Sequence, residues 1–364
     1  MKRMKKNLKK LLLYLVSFCL SLELIARIDE AITKWRSSPS FETIQIKDEF
    51  GFRGVPYGRW GDIVLNKYGF NDSDDYTKEE KKRALRIICL GDSITFGTLT
   101  APYNWVFFLK KLFAEKGVDA EVINASMPGN TFPQLVDRLE AEHIEFNPDI
   151  LLIYKGFRYY MASEKDIYIP EKSFWEKGAR KSTFIRKILD HQPRDPHRRL
   201  LKERKRRGIR DLIEEVTEEQ LDRYRHDLMR LIRFCRDRRI TVVLASFPFL
   251  VNEDNREKYI DFIYSALYFY PTISAEAYIK GIPQFNEVTR EVASREKVMY
   301  VDISKGLDRT GDYFLDRSHL TPKGSKRVAK NYAEALVRYI KSLPLIPARI
   351  RDDAFPDREL FPRQ

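Results

Sequence analysis

The stretch RIICLGDSITFG, residues 86 to 97, decides how this chain is read. A short β-rich apolar run ends in Gly-Asp-Ser, the pattern of a strand that delivers a serine to the edge of a sheet. Ser93 is then either a nucleophile or only the cap of the helix that follows. Its isolated sequence leaves both open.

Working outward, similar apolar runs recur at 120 to 124, 149 to 155, 240 to 247 and 298 to 302. Between them lie stretches of helical period at 103 to 117, 132 to 146, 216 to 238, 285 to 296 and 322 to 342. In the third of these, Leu228, Leu231, Ile232 and Cys235 fall on one face with arginines on the others. Strand and helix in alternation predict an α/β domain over 85 to 345, a parallel sheet of about five strands with helices on both faces. Residues 160 to 215 interrupt the rhythm with aromatics and then the basic run RRLLKERKRRGIR, 198 to 210, and are expected to form an insertion over the site. The basic run itself reads as a solvated helix or as a contact for an anionic membrane surface or an acidic polymer. Residues 36 to 84, rich in Gly, Pro and Asp, read as a lead-in of loops and short strands, and 346 to 364 as a tail.

Six of the first ten residues are basic, and LLLYLVSFCLSLELIA, 11 to 26, follows. Basic then apolar is the arrangement of an export signal. The uncharged part is shorter than the roughly 20 residues that span a bilayer. Glu23 and Arg27, one helical turn apart, can pair and let the helix run to about Ile32. The bulky Phe18 before Cys19 speaks against lipoprotein processing, and no Ala-x-Ala pattern follows. Residues 1 to 35 are therefore expected to be an uncleaved single-pass anchor with the rest of the chain outside the cytoplasm, ahead of a cleaved signal or an amphipathic helix packed on the domain. The three cysteines show no paired or zinc-like spacing, so neither a disulfide framework nor a metal is expected. The net charge of +13 raises nucleic acid as a partner. Without aromatics interleaved among the charges, and with an export signal, that class is set aside.

In open α/β sheets ligands bind beyond the carboxyl ends of the strands. Gly91-Asp92-Ser93 follows the first strand, Asn124 to Thr131 the second, Gly156-Phe157-Arg158 the third, and GDYFLDRSHLTPKG comes after the fifth. A serine hydroxyl needs a base to become nucleophilic, and the base needs an acceptor to fix its tautomer. Of five histidines, His191 and His197 lie in the insertion and His143 and His226 on helices, where solvated or satisfied roles are expected. His319 follows Asp316 by three residues, just before Thr321-Pro322, a helix cap and first helical position.

Together these residues resemble the SGNH (GDSL-type) hydrolase family over about residues 86 to 342. GDSIT at 91 to 95 looks like its nucleophile block, Gly129 in NASMPGNT like its second, and Asp316-Arg317-Ser318-His319 like its last. LNKYGFN, 65 to 71, is similar to the segment before the catalytic domain in exported, membrane-anchored members. The resemblance implies a flavodoxin-like three-layer sandwich and a Ser93–His319–Asp316 triad. It also implies an oxyanion hole from the amides of Ser93 and Gly129, no cofactor, and an O-acyl ester substrate such as an acylated envelope glycan. One block departs: the family's Gly-x-Asn-Asp is here Gly156-Phe157-Arg158-Tyr159. Arg158 can replace the asparagine as oxyanion donor, bind an anionic substrate or pair with a carboxylate. The same cleft also suits an O-acyltransferase, or a non-catalytic envelope protein that binds glycan or lipid.

Overall fold

The computed structural model describes residues 2–36, 43–72, 76–162, 179, 181–190 and 193–343. In chain order the elements are helix α1 (Lys2–Arg36), strands β1 (Gln45–Asp48), β2 (Gly51–Gly54), β3 (Arg59–Trp60), β4 (Ile63–Val64) and β5 (Leu85–Gly91), then α2 (Ser93–Phe96), α3 (Trp105–Glu115), β6 (Ala120–Asn124), α4 (Phe132–Ala141), β7 (Ile150–Tyr154) and α5 (Arg158–Met161). The insertion contributes α6 (Thr183–Asp190) and α7 (Pro196–Arg206); α8 (Glu218–Asp237), β8 (Thr241–Ala245), α9 (Arg256–Leu267), α10 (Ala275–Arg295), β9 (Met299–Val301) and α11 (Pro322–Ser342) complete the chain.

Strands β5 to β9 form one parallel sheet in the order β6-β5-β7-β8-β9. With β5 as its first strand this is the flavodoxin-like 2-1-3-4-5 order, which puts a switch point between β5 and β7. Every residue of β5 is buried, as the unbroken apolar run requires of a strand covered on both faces. Two groups of helices cover the sheet: α3 with α11, and α8 with α4 and α10. The fold is the three-layer α/β/α sandwich expected, and all five expected strands are present.

Helix starts follow local chemistry. Thr131 with Gln134 and Thr217 with Gln220 form capping boxes for α4 and α8, and Thr321 caps α11 with Pro322 behind it. Helix α9 and the first half of α10 were not expected, and α10 runs straight through Pro283. A mid-helix proline costs about 3 kcal/mol. The same helix buries Tyr278, Ile282, Phe285, Val288 and Val292, each contributing roughly 1.5–3 kcal/mol, so packing overrides the local signal.

The lead-in builds a small core of its own. Ile44, Ile63 and Leu65 pack with Phe96 of α2 and Met127 of the loop after β6, with Phe52 and Trp60 against them. Hairpins β1–β2 and β3–β4 are thereby fastened to the loops at the carboxyl end of the sheet. Ahead of the lead-in, α1 carries one stretch, Lys9–Ile32, long and apolar enough to cross a membrane. Glu23 accepts a hydrogen bond from Arg27 at 2.8 Å, as their spacing foretold.

The basic run is neither free nor solvated throughout. Helix α7 packs on α9, Arg204 donates to the carbonyls of Pro271 and Ile273 at 2.9 and 2.8 Å, and Arg199 lies over the Tyr268 ring. Glu203, buried, receives Arg206 and Arg207 at 2.6 and 2.7 Å. The described helices of the insertion rest on α1 and α9, while residues 163–178 and His191 lie outside the described residues.

Candidate active site

Strand β5 ends at Gly91, where a side chain would collide with the Tyr154 carbonyl and Thr95. Asp92, not Ser93, is the cap of α2: its Oδ1 accepts from the Ile94 amide at 3.2 Å. Ser93 is thus the first helical residue, half-buried, with its amide among the first-turn donors that lack an acceptor within the helix.

His319 arrives from the loop between β9 and α11. Its Nε2 lies 2.8 Å from Ser93 Oγ, and its Nδ1 lies 2.7 Å from Asp316 Oδ2. The other oxygen of Asp316 accepts from the amides of Ser318 and His319, both at 2.8 Å. That turn fixes the carboxylate against the ring. The buried Arg317 stands 3.5 Å from Asp316 and donates to the Tyr278 hydroxyl at 3.3 Å. Burial alone would push the Asp316 carboxyl up; the hydrogen bond and charge of His319, then Arg317 and the Ser318 amide, reverse this and hold it well below the usual carboxylate range. An ionised Asp316 selects the tautomer with hydrogen on Nδ1 and leaves Nε2 as acceptor for Ser93.

Gly129 sits in the loop after β6 at φ +90°, a left-handed conformation that favours glycine. A Cβ there would also come within 3.0–3.1 Å of the Phe52 ring. The next residue, Asn130, clamps the lead-in: its Oδ1 accepts from the Phe52 amide at 2.6 Å and its Nδ2 donates to the Phe52 carbonyl at 2.7 Å. Asn124, at the end of β6, donates to the Thr95 carbonyl at 2.9 Å and ties that loop to α2.

Beyond β7 the expected departure from Gly-x-Asn-Asp is present, and Arg158 opens α5. The Arg158 side chain lies outside the described residues. Sequence reasoning did not single out Lys155, which stands beside Asp92. Its Nζ lies 3.0 Å from Asp92 Oδ2, and both side chains are more than nine-tenths buried. The signal was available in the register, since Gly91 pairs with Tyr154 and their successors must be neighbours. Asn130 and Phe52 were likewise missed, because only the docked hairpin makes them partners. Among the described residues no group of three or more His, Cys, Asp or Glu is placed to hold a metal ion.

No family model matches the chain, and no curated protein matches it. Among solved structures, it is similar to an acetylxylan esterase from Geobacillus stearothermophilus, with 17% identity over 73% of this chain and 98% of that one and a TM-score of 0.41. A lipase/acylhydrolase from Enterococcus faecalis is 18% identical over 69% and 95% of the two chains, with a TM-score of 0.41. A GDSL-like lipase from Bacteroides thetaiotaomicron is 15% identical over 72% and 92%, with a TM-score of 0.39.

Proposed function

We propose that this protein is a serine ester hydrolase of the SGNH type, membrane-anchored, with residues 85 to 345 as its catalytic domain outside the cytoplasm. The observation that carries this is the unbroken relay Ser93 Oγ, His319 Nε2, His319 Nδ1, Asp316 Oδ2, with links of 2.8 and 2.7 Å. His319 takes the Ser93 proton as Oγ attacks the ester carbonyl carbon. The amides of Ser93 and Gly129, with Arg158 in the role of the family's asparagine, hold the oxyanion. His319 then returns the proton to the departing alcohol, and water repeats the sequence to release the acid.

An O-acyl group on an envelope glycan is the substrate class this reading favours. It is supported by the family resemblance and by a cleft of about 570 Å³ between the start of α4, helix α5 and helix α8. That cleft is lined by Pro133, the half-exposed ring of Tyr159, and the polar side chains of Asp222, Arg223 and Asp227. An exposed ring beside several hydrogen-bonding groups suits a sugar.

The test is the purified full chain with a short-chain aryl ester, an acetylated glycan and a serine-reactive phosphonate. Turnover and a covalent adduct on Ser93, both absent in Ser93→Ala, are expected. A folded protein that takes no phosphonate and hydrolyses neither ester would overturn the reading.

A further inference from the structure

Helix α6, outside the catalytic machinery, is attached to the anchor in a way that α1 alone does not explain. Among the described side chains of α1, which are otherwise exposed, Leu22, Glu23, Ala26 and Glu30 are buried or half-buried, a stripe one helical face wide. Helix α6 covers it. The Glu23 carboxylate accepts from Ser182 Oγ at 2.7 Å and from the amides of Thr183 and Phe184 at 3.0 and 3.1 Å, so it caps the first turn of α6. Further along, Arg186 donates to Glu30 at 2.6 Å and Lys187 to Asp29. Contact passes from Glu23 toward Glu30 as α6 proceeds. The short helix therefore climbs beside α1 from the half-buried Glu23 carboxylate toward the end of the apolar stretch.

Counted from Leu11, roughly 20 residues of helix cross the hydrocarbon, which sets its outer boundary near Glu30. Glu23 then lies about 10 Å inside, at 1.5 Å per residue. A carboxylate at that depth needs donors, and Ser182 with the first turn of α6 supplies three of them. Between the two depths α6 turns Ile185 and Ile188, spaced three apart, away from α1. They are exposed, as Ile25 and Ile28 of the anchor are. The polar partners of α6 face α1, while its two isoleucines stay exposed at a depth that the anchored reading assigns to lipid.

We infer that α6 is a membrane-seated wedge: its Ile185–Ile188 face is buried in the outer leaflet of the bilayer, and Glu23 locks it to the anchor. This rests on the anchored reading above. It makes the lipid surface a partner of the catalytic unit as well as of its tether, and holds the insertion at a set height over the membrane.

The test uses the full chain with Cys19→Ser, which removes the exposed native thiol, reconstituted in phosphatidylcholine–phosphatidylglycerol vesicles. Nitroxides are placed by Ile28→Cys, Ile188→Cys and Leu201→Cys, and their collisions with oxygen and with a water-soluble nickel chelate are compared. At Ile28 and Ile188 oxygen access should exceed nickel access, with the reverse at Leu201 on α7. Adding Glu23→Leu should raise nickel access at Ile188 and leave Ile28 unchanged. If Ile28 itself is water-like, the anchored reading fails. If Ile28 is in lipid while Ile188 is water-like, or is shielded from both reagents by protein, the wedge is overturned. An Ile188 depth unmoved by Glu23→Leu overturns the lock.

Discussion

The two ends of strand β5 put charged side chains to opposite uses. At its start Arg86 is fully buried with each nitrogen engaged: Nε reaches Glu121 at 2.6 Å, and the two terminal nitrogens donate to the carbonyls of Phe146 and Glu80, each at 2.6 Å. Past its end Asp92 is also buried and paired, with Lys155, but next to it Ser93 stays half-buried and joined to His319. One end commits its charge to holding β5, β6 and two neighbouring loops together. The other keeps one hydroxyl reachable and gives its proton somewhere to go. The carboxyl end of a parallel sheet is suited to this because helix starts, with unspent amides, converge there.

The comparison breaks most sharply at Ser93. Ser93→Ala should lower ester turnover by on the order of 10⁴-fold or more, while its unfolding free energy stays within about 0.5 kcal/mol of the parent. Arg86→Met should do the reverse. Leaving Glu121 buried without its partner costs about 3–5 kcal/mol, read by urea unfolding, with turnover per folded molecule unchanged. Arg86→Met combined with Glu121→Leu should recover most of that loss. If it does not, the pair is doing more than neutralising itself.

Between these extremes lies the Asn130 clamp. Asn130→Ala removes both bonds to Phe52 and is expected to cost about 1–3 kcal/mol. It should lower kcat more than KM, because the loop it frees carries Gly129. Equal loss in kcat and stability-matched surface variants would deny the loop a part in turnover. The smallest effect concerns pH. Asp316 is held below its unfolded value near 4, so it binds its proton more weakly folded than unfolded. Its stabilising contribution is complete above about pH 4 and is lost as pH falls from there toward the depressed folded value. Asp316→Asn should flatten that acid limb in chemical denaturation without altering the slope near neutrality; an unchanged acid limb would show that the carboxylate is not held low.

Legibility in the sequence followed the range of the interaction. The run at 86 to 91 could be read as a doubly covered strand because burial on both faces leaves no polar alternation. The start of α11 could be read from Thr321-Pro322, since capping acts within one turn. Helix α10 could not be read through Pro283, where the compensation comes from residues packed from other elements. The basic run looked like one surface and proved to be divided: Arg206 and Arg207 turn back to Glu203 within the run, while Arg199 and Arg204 meet Tyr268 and backbone carbonyls of the α9–α10 connection, far away in sequence.

By itself, then, the sequence determined the alternation of strand and helix, the sheet's parallel sense, the apolar stretch near the start, and the residue types present at each strand end. These are local consequences of periodicity and capping. Only the tertiary structure decided that Asp92 caps α2 and frees Ser93, that Lys155 neutralises Asp92, that the lead-in braces the Gly129 loop through Asn130, and that Glu23 belongs to α6. Each is a hydrogen bond or ion pair whose worth depends on burial and on two side chains arriving within about 3 Å. Such an encounter is set by how the layers pack, not by any spacing along the chain.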